Sequence, residues 1–172
     1  MRLGSDQGAI GVPWMVKLAI ALAVFGVLGY DTFVTIATHL SAENDAQNAA
    51  YAASSAWSSA SSDGVPQNAD TAFQGAITYL AGKQSAKCMS ELKANSTLAS
   101  PSSIPTGCDY ICTGAKSQAG VCGSHGRFAI DPDGTVHLVL RKQAQTLVFS
   151  HLGFMHSLLV AWEHGDASVD TG

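Results

Sequence analysis

The feature that most limits what this chain can become is the run IGVPWMVKLAIALAVFGVLGYDTFVTI at residues 10–36. Residues 18–30 carry no charge and no strong hydrogen-bonding side chain apart from the Tyr30 tip. A bilayer's hydrocarbon core takes roughly 20 mostly apolar residues of helix. The uninterrupted part is shorter than that, so its flanks decide. Lys17 can lay its stem along the helix and reach the headgroups. Trp14 and Tyr30 stand one at each end, where amphipathic rings favour the interface. Residues 12–30 span about 29 Å, close to one hydrocarbon thickness. The run reads as a membrane anchor built on Trp14, Lys17, Leu18, Phe25, Leu28 and Tyr30.

Three other fates compete. A buried core helix would need more apolar surface than the rest of the chain supplies. A cleaved signal peptide also shows a short apolar run behind a basic start. The small-x-small pattern expected after such a run is poor here, because YDTFVTIATHL offers bulky residues. A helix lying on the membrane surface needs a polar face, and this run has none.

A chain of 172 residues has room for one anchor and one modest domain. The divisions are a leader at 1–9, the anchor at 10–36, an Ala-rich continuation at 37–63 and an exported domain at 64–172. Arg2, Lys17 and Asp6 leave residues 1–30 net positive, whereas the whole chain carries −4. Basic residues favour the cytoplasmic flank, so the amino terminus is expected inside and the domain outside. An acidic exterior argues against nucleic acid as a partner, which would need a basic stripe.

The cysteines, Cys88, Cys108, Cys112 and Cys122, all lie beyond the anchor in a stretch rich in Ser, Gly, Thr and Pro. An even count in an exported, loop-rich segment reads as two disulfides stapling the loop at 88–122. Three pairings are open. A zinc site would want paired C-x2-4-C knuckles, and Cys88 is isolated.

Beyond Tyr30 no glycine or proline appears until Gly64. The anchor is therefore expected to continue as one helix from about 13 to 61. Ala46, Ala49, Ala50, Ala53 and Trp57 recur at helical spacing as a small-residue packing stripe. Serines at 54, 55, 58, 59, 61 and 62 weaken its end, because serine competes for backbone bonds. A second helix starts near Asn68 or Asp70, with Ala72, Phe73, Ala76, Ile77, Leu80 and Ala81 on one face. Its periodicity can resume after Gly82 through Met89 and Leu92. Residues 95–126 read as an irregular loop. RFAIDPDGTVHLVLRKQA reads as a hairpin: a strand at 128–130, a turn at 131–134 and a strand at 135–142. QTLVFSHLGF is a short apolar run ending at Gly153, and another strand follows at 157–163. The tail DASVDTG is an edge strand or irregular. The fold class is α+β: a long transmembrane and amphipathic helix, a second helix, and a three- or four-stranded antiparallel sheet.

Three stretches carry a family likeness: QGAIGVPWMVKLAIALAVFGVLGYD at 7–31, HLSAENDAQNAAYAASSA at 39–56, and TVHLVLRKQAQTLVFSHLGFMHSLLVAWEHGDASV at 135–169. Together they cover about half the chain. Their order resembles the TadE/TadG-like family of tight-adherence (Flp-type) pilus proteins, particularly the actinobacterial kind. That resemblance implies a pilin-like minor pilin or assembly factor anchored in the inner membrane, with the N-terminal helix meeting other pilin-like subunits. Processed pilins of this system carry glutamate five residues after the cleaved glycine. Measured from Gly8 that position is Pro13, and from Gly11 it is Val16.

Other residues carry weaker signals. Asp31 at the outer membrane edge is either a charge for pairing with a partner subunit or a carboxylate solvated among headgroups. Asp131-Pro132-Asp133-Gly134 has turn chemistry and lacks the distant glutamate of a calcium loop. His39, His125, His137, His151, His156 and His164 read as scattered surface residues, although His151 and His156 could approach across two strands. No catalytic constellation, cofactor motif or metal-ligand spacing emerges. The expectation is a non-enzymatic protein whose partners are lipid and other subunits, with no small-molecule substrate. A membrane-anchored exported binding module that uses the stapled loop is the alternative.

Overall fold

The structure, a computed structural model, describes residues 11–62, 67–94, 97–98, 107–115, 118 and 122–168. The leader at 1–9, with Gly8, lies outside them; Gly11 is the first residue of the first helix. That helix, α1 (Gly11–Ser62), is continuous for 52 residues, about 78 Å. Pro13 sits in its first turn, where a missing N–H leaves no bond unmade. The alanine stripe is its inner face: Ala42, Ala46, Ala49, Ala50 and Ala53 are wholly buried.

Helix α2 (Ala69–Ala81) is capped by Asn68, whose Oδ1 accepts the Thr71 N–H at 2.8 Å. Asp70, the other capping candidate, accepts the Leu98 N–H at 3.0 Å. All six residues of the apolar face read from periodicity are buried or nearly so. Gly82 ends the helix, and a separate α3 (Ala86–Ala94) buries Cys88 and Leu92. Helices α1 and α2 meet where side chains are missing. A Cβ on Gly75 would lie 2.7 Å from both the Ala52 carbonyl oxygen and the Ala56 Cβ.

The sheet has four antiparallel strands: β1 (Tyr110–Ile111), β2 (Ala129–Ile130), β3 (Val136–Gln143) and β4 (Val160–Ala167). Strand β4 pairs with the full length of β3, from Val136↔Ala167 to Gln143↔Val160. Strands β1 and β2 share the other edge, through Ile111↔Leu140 and Ile130↔Val136. The β2–β3 turn closes with Gly134 N–H to Asp131 O and Asp131 N–H to Thr135 O, both 2.9 Å. Gly134 takes φ +86°, which a side chain would strain. One face of β3, with Val136, Leu138 and Leu140, packs on α1 and α2, and Phe73 meets Phe128 edge-on at 5.2 Å.

Four expectations are corrected. Residues 95–126 are not wholly irregular: β1 pairs with β3, a two-residue strand too short to show a period. Val136, Leu138 and Leu140 alternate with His137, Val139 and Arg141, the period-two pattern of a half-buried strand that sets Val139 on the outer face, yet Val139 is buried. Gly126 approaches it closely enough that a Cβ would stand 3.2 Å from its Cγ2. The run QTLVFSHLGF forms two short 3-10 turns, Phe149–His151 and Gly153–Met155, so His151 and His156 do not face each other across strands. The last strand starts three residues later than its apolar pattern suggested and takes in His164, Gly165, Asp166 and Ala167. It extends because Gly165 lets α1 lie directly on the strand: a Cβ there would collide with the Ala46 carbonyl.

The disulfides are Cys88–Cys108 and Cys112–Cys122. A Cys108–Cys112 bridge fails because the chain between them is extended through β1. Four extended residues span about 13 Å, and a disulfide tolerates only about 7 Å between Cα atoms. The first bridge ties α3 to the start of β1, and the second ties the end of β1 to the segment entering β2. Closing loops of this size contributes about 3 kcal/mol each in the chain-entropy view.

Gly165→Val should force α1 off the sheet. Overpacking of this kind costs about 1–3 kcal/mol, and denaturant unfolding of the detergent-solubilised protein should show a matching loss of stability. Gly153→Ala, where added atoms meet nothing within 4 Å, is the neutral control.

Candidate functional site

The half of α1 before its alanine stripe stands clear of the domain. Its most apolar 18-residue stretch has a mean hydropathy of 1.8 and is only 6% buried, so it is not the core helix of a globular fold. It is the one helix among the described residues long and apolar enough to cross a membrane. Trp14, Leu18, Phe25, Leu28 and Tyr30 all expose their side chains, and Lys17 is exposed between them. Exposure runs on past Tyr30 through Phe33 and Ile36, and past the anchor's expected end at residue 36 to Leu40. The domain, by contrast, is closed by two disulfides, the bonding of an oxidising, extracytoplasmic compartment.

The connection between β3 and β4, residues 144–159, is where the domain touches this bare half. Asp31 makes the joint. Its side chain is entirely buried. The Leu147 N–H donates to Oδ1 at 2.8 Å; the Val148 and Phe149 N–H groups donate to Oδ2 at 2.8 and 2.9 Å. Three convergent N–H groups at the start of a helical turn form a small anion site, and α1 supplies the anion. Neither expectation for Asp31 describes this arrangement. The carboxylate is not solvated among headgroups, and its bonding capacity is taken up within the chain. Nothing in the local sequence of TLVF shows that its backbone would turn toward a residue more than a hundred positions earlier.

Above the joint lies a second polar cluster. Lys142 Nζ reaches Asp45 Oδ2 at 2.6 Å and Ser41 Oγ at 2.8 Å, while the Tyr79 hydroxyl donates to Asp45 Oδ1 at 3.3 Å. The group ties α1, α2 and β3 together. Burial holds the Asp109 carboxyl above its ordinary range despite the Lys142 charge 3.9 Å away. Burial, followed by the Asp45 charge, raises the Tyr79 hydroxyl.

His137 is not a bystander. Its Nδ1 lies 2.6 Å from Asp166 Oδ1 and its Nε2 lies 3.3 Å from Asp131 Oδ2. The bonds to Asp166 and then Asp131 raise its pKa above the usual 6.5. Both ring nitrogens face carboxylates, so neither is free to act as a general base. The ring clamps the β2–β3 turn to the end of β4. His125 stacks on Trp162 at 4.3 Å, and His39 meets Glu163 at 3.5 Å. Among the described residues no cluster of His, Cys, Asp or Glu is arranged to hold a metal ion.

The alanine stripe is a packing face, as its spacing predicts, and its contacts lie within the chain. Ala46, Ala49, Ala50 and Ala53 are covered by the chain's own α2 and sheet, and Trp57 packs at the edge of that core against Gly134. This face is filled within one molecule and is not open to a partner subunit.

Comparison of the chain with protein-family models, curated proteins and solved structures gives no match.

Two outcomes test this geometry. In Asp31→Ala, the amides of residues 147–149 should exchange with solvent roughly tenfold faster or more, since charge-assisted bonds are lost; hydrogen exchange measures this. For His137, an NMR titration should give a pKa above 6.5, and Asp166→Asn should lower it. A raised folded pKa contributes stability that is present below about pH 6.5 and is lost as pH rises through the folded value, so unfolding free energy should fall across that window in the parent and less in His137→Gln.

Proposed function

We propose that this protein is a membrane-anchored, pilin-like component, a minor pilin or assembly factor, of a tight-adherence (Flp-type) pilus or secretion system. The amino terminus lies in the cytoplasm, and the disulfide-bonded domain lies outside the membrane. The observation that carries the reading is the division of α1. One unbroken helix is bare and apolar at one end and is the spine of the domain at the other. Such a rod serves as a tether in lipid, and the same bare surface packs on neighbouring helices when subunits assemble. Asp31 supports it further, because bonds from the domain to the anchor itself would be wasted if the anchor were removed from the mature chain.

The binding-module alternative draws on the two disulfides, which fix Cys88, Cys108, Cys112 and Cys122 as buried residues of the core. The two readings part on which surface matters. If assembly is the role, Phe25→Ala with Phe33→Ala should reduce surface fibres in sheared, imaged preparations while leaving the protein in the membrane fraction. Deleting residues 99–106 should then have little effect on fibres. Undiminished fibres in a strain lacking the whole protein would remove the proposal.

A further inference from the structure

The bare half of α1 does not end in polar residues at Asp31, and the connection resting on it has the character of a lipid-facing element. We infer that the lipid-embedded part of this chain extends along α1 to about His39 and includes the β3–β4 connection, whose Leu147, Val148, Phe154 and Leu158 enter the leaflet on the domain side. This rests on the anchor reading above and adds a second point of entry to it.

Four independent observations meet here. The first is exposure. Leu147, Phe154 and Leu158 are 63%, 78% and 56% exposed, and they sit beside a helix whose own Phe33, Ile36 and Leu40 are 70%, 56% and 65% exposed. A membrane boundary at Tyr30 would leave all of these in water. The second is length. With Lys17 at the headgroup boundary, the 22 rises to His39 span about 33 Å, one hydrocarbon thickness; the frame at 12–30 has nearly that length but carries the Lys17 charge inside it.

The third is the backbone. Lipid offers no hydrogen bonds, so a non-helical segment enters only if its polar groups are satisfied internally. The N–H groups at 147–149 are taken by Asp31, that of Ser150 by Thr146 Oγ1, and those of His151 and Leu152 by the carbonyls of Val148 and Phe149. The N–H groups of Met155, His156, Leu158 and Leu159 also have carbonyl partners within the connection. Ten of the thirteen N–H groups from Leu147 to Leu159 are paired in this way, all but those of Gly153, Phe154 and Ser157, which suits a segment lying at the interfacial depth of the leaflet.

The fourth is the helix beneath. The only charged side chain on α1 between Lys17 and Glu43 is Asp31, and the connection hides it. The hydroxyls of Thr32, Thr35 and Thr38 each donate at 2.8 Å to the carbonyl four residues earlier, so these three threonines present no unpaired hydroxyl donor to lipid. Two apolar grooves flank the joint, one of about 340 Å³ between Val24, Leu28 and Val148, the other of about 320 Å³ between Ile36, Phe149 and Leu158. Both are lined in part by side chains of the anchor helix itself. His151, His156 and Ser157, polar and exposed on the same connection, suit the depth of the headgroups.

The test is depth-resolved fluorescence quenching of the full chain in vesicles of brominated phosphatidylcholine and phosphatidylglycerol. Trp14→Phe, Trp57→Phe and Trp162→Phe together clear the native signal; the parent for this test restores Trp14 alone, and single tryptophans are then placed at Leu147, Phe154 or Leu158, or as a control at Tyr51. The three connection probes should be quenched at least half as strongly as Trp14 is in the parent, with blue-shifted emission, while the Tyr51→Trp probe is not. If Trp14 is quenched in the parent but the connection probes are not, whether they stand in water or against a second copy, the anchor survives and this inference fails. Quenching at the Tyr51 position would equally overturn the boundary at His39. If Trp14 itself escapes quenching, the anchor reading fails with it.

Discussion

The structure depends on how closely one helix backbone can approach the elements packed on it. Alanines at 42, 46, 49, 50 and 53, with glycines at 75 and 165 opposite, bring α1 against α2 and β4 with almost no side chain between. Large residues would bury more area per position, about 25 cal/mol per Å². Small residues instead lower the axis separation. They let a modest domain grip the helix with Phe73, Leu80, Leu92, Leu138 and Leu140 gathered around the line of contact. The domain does not hang from the anchor by a linker. It is built around the anchor's own continuation.

That rigidity gives Asp31 its setting. A carboxylate partway along an apolar helix is costly in lipid and unremarkable in water. Here it is in neither setting, because the β3–β4 connection folds down and offers three N–H groups to it. The arrangement answers two needs at once. The helix is relieved of an unpaired charge, and the connection gains an anchor for a stretch with too few side-chain contacts of its own. The polar cluster of Ser41, Asp45, Tyr79 and Lys142 repeats the logic one level higher, joining helix to sheet where apolar packing thins. Such a cluster is weak as a source of net stability, since desolvation offsets most of the attraction.

Much of the architecture was legible in the chain before folding. The helix at 13–61 followed from hydropathy, then from alanine spacing, then from the lack of glycine and proline between Tyr30 and Gly64. The apolar face of α2 and the hairpin with its Asp131–Gly134 turn came from period and turn chemistry. The expected resemblance to tight-adherence pilus proteins was read from the stretches at 7–31, 39–56 and 135–169. What escaped were short or non-periodic features. Strand β1 is two residues long and exists because β3 offers it an edge. The turns at 149–155 depend on a carboxylate more than a hundred residues away.

The amino-acid sequence alone determined that one helix would be greasy first and small-faced afterwards, because those properties reside in side chains a few positions apart. Tertiary structure alone decided where each surface would be used. It turned the alanine stripe inward and paired Cys88 with Cys108 and Cys112 with Cys122. It also hid Asp31 and placed His137 between two carboxylates. Each of these is a meeting of residues distant along the chain. No local pattern encodes it, since its energy arises only when the sheet and the helix are already in contact.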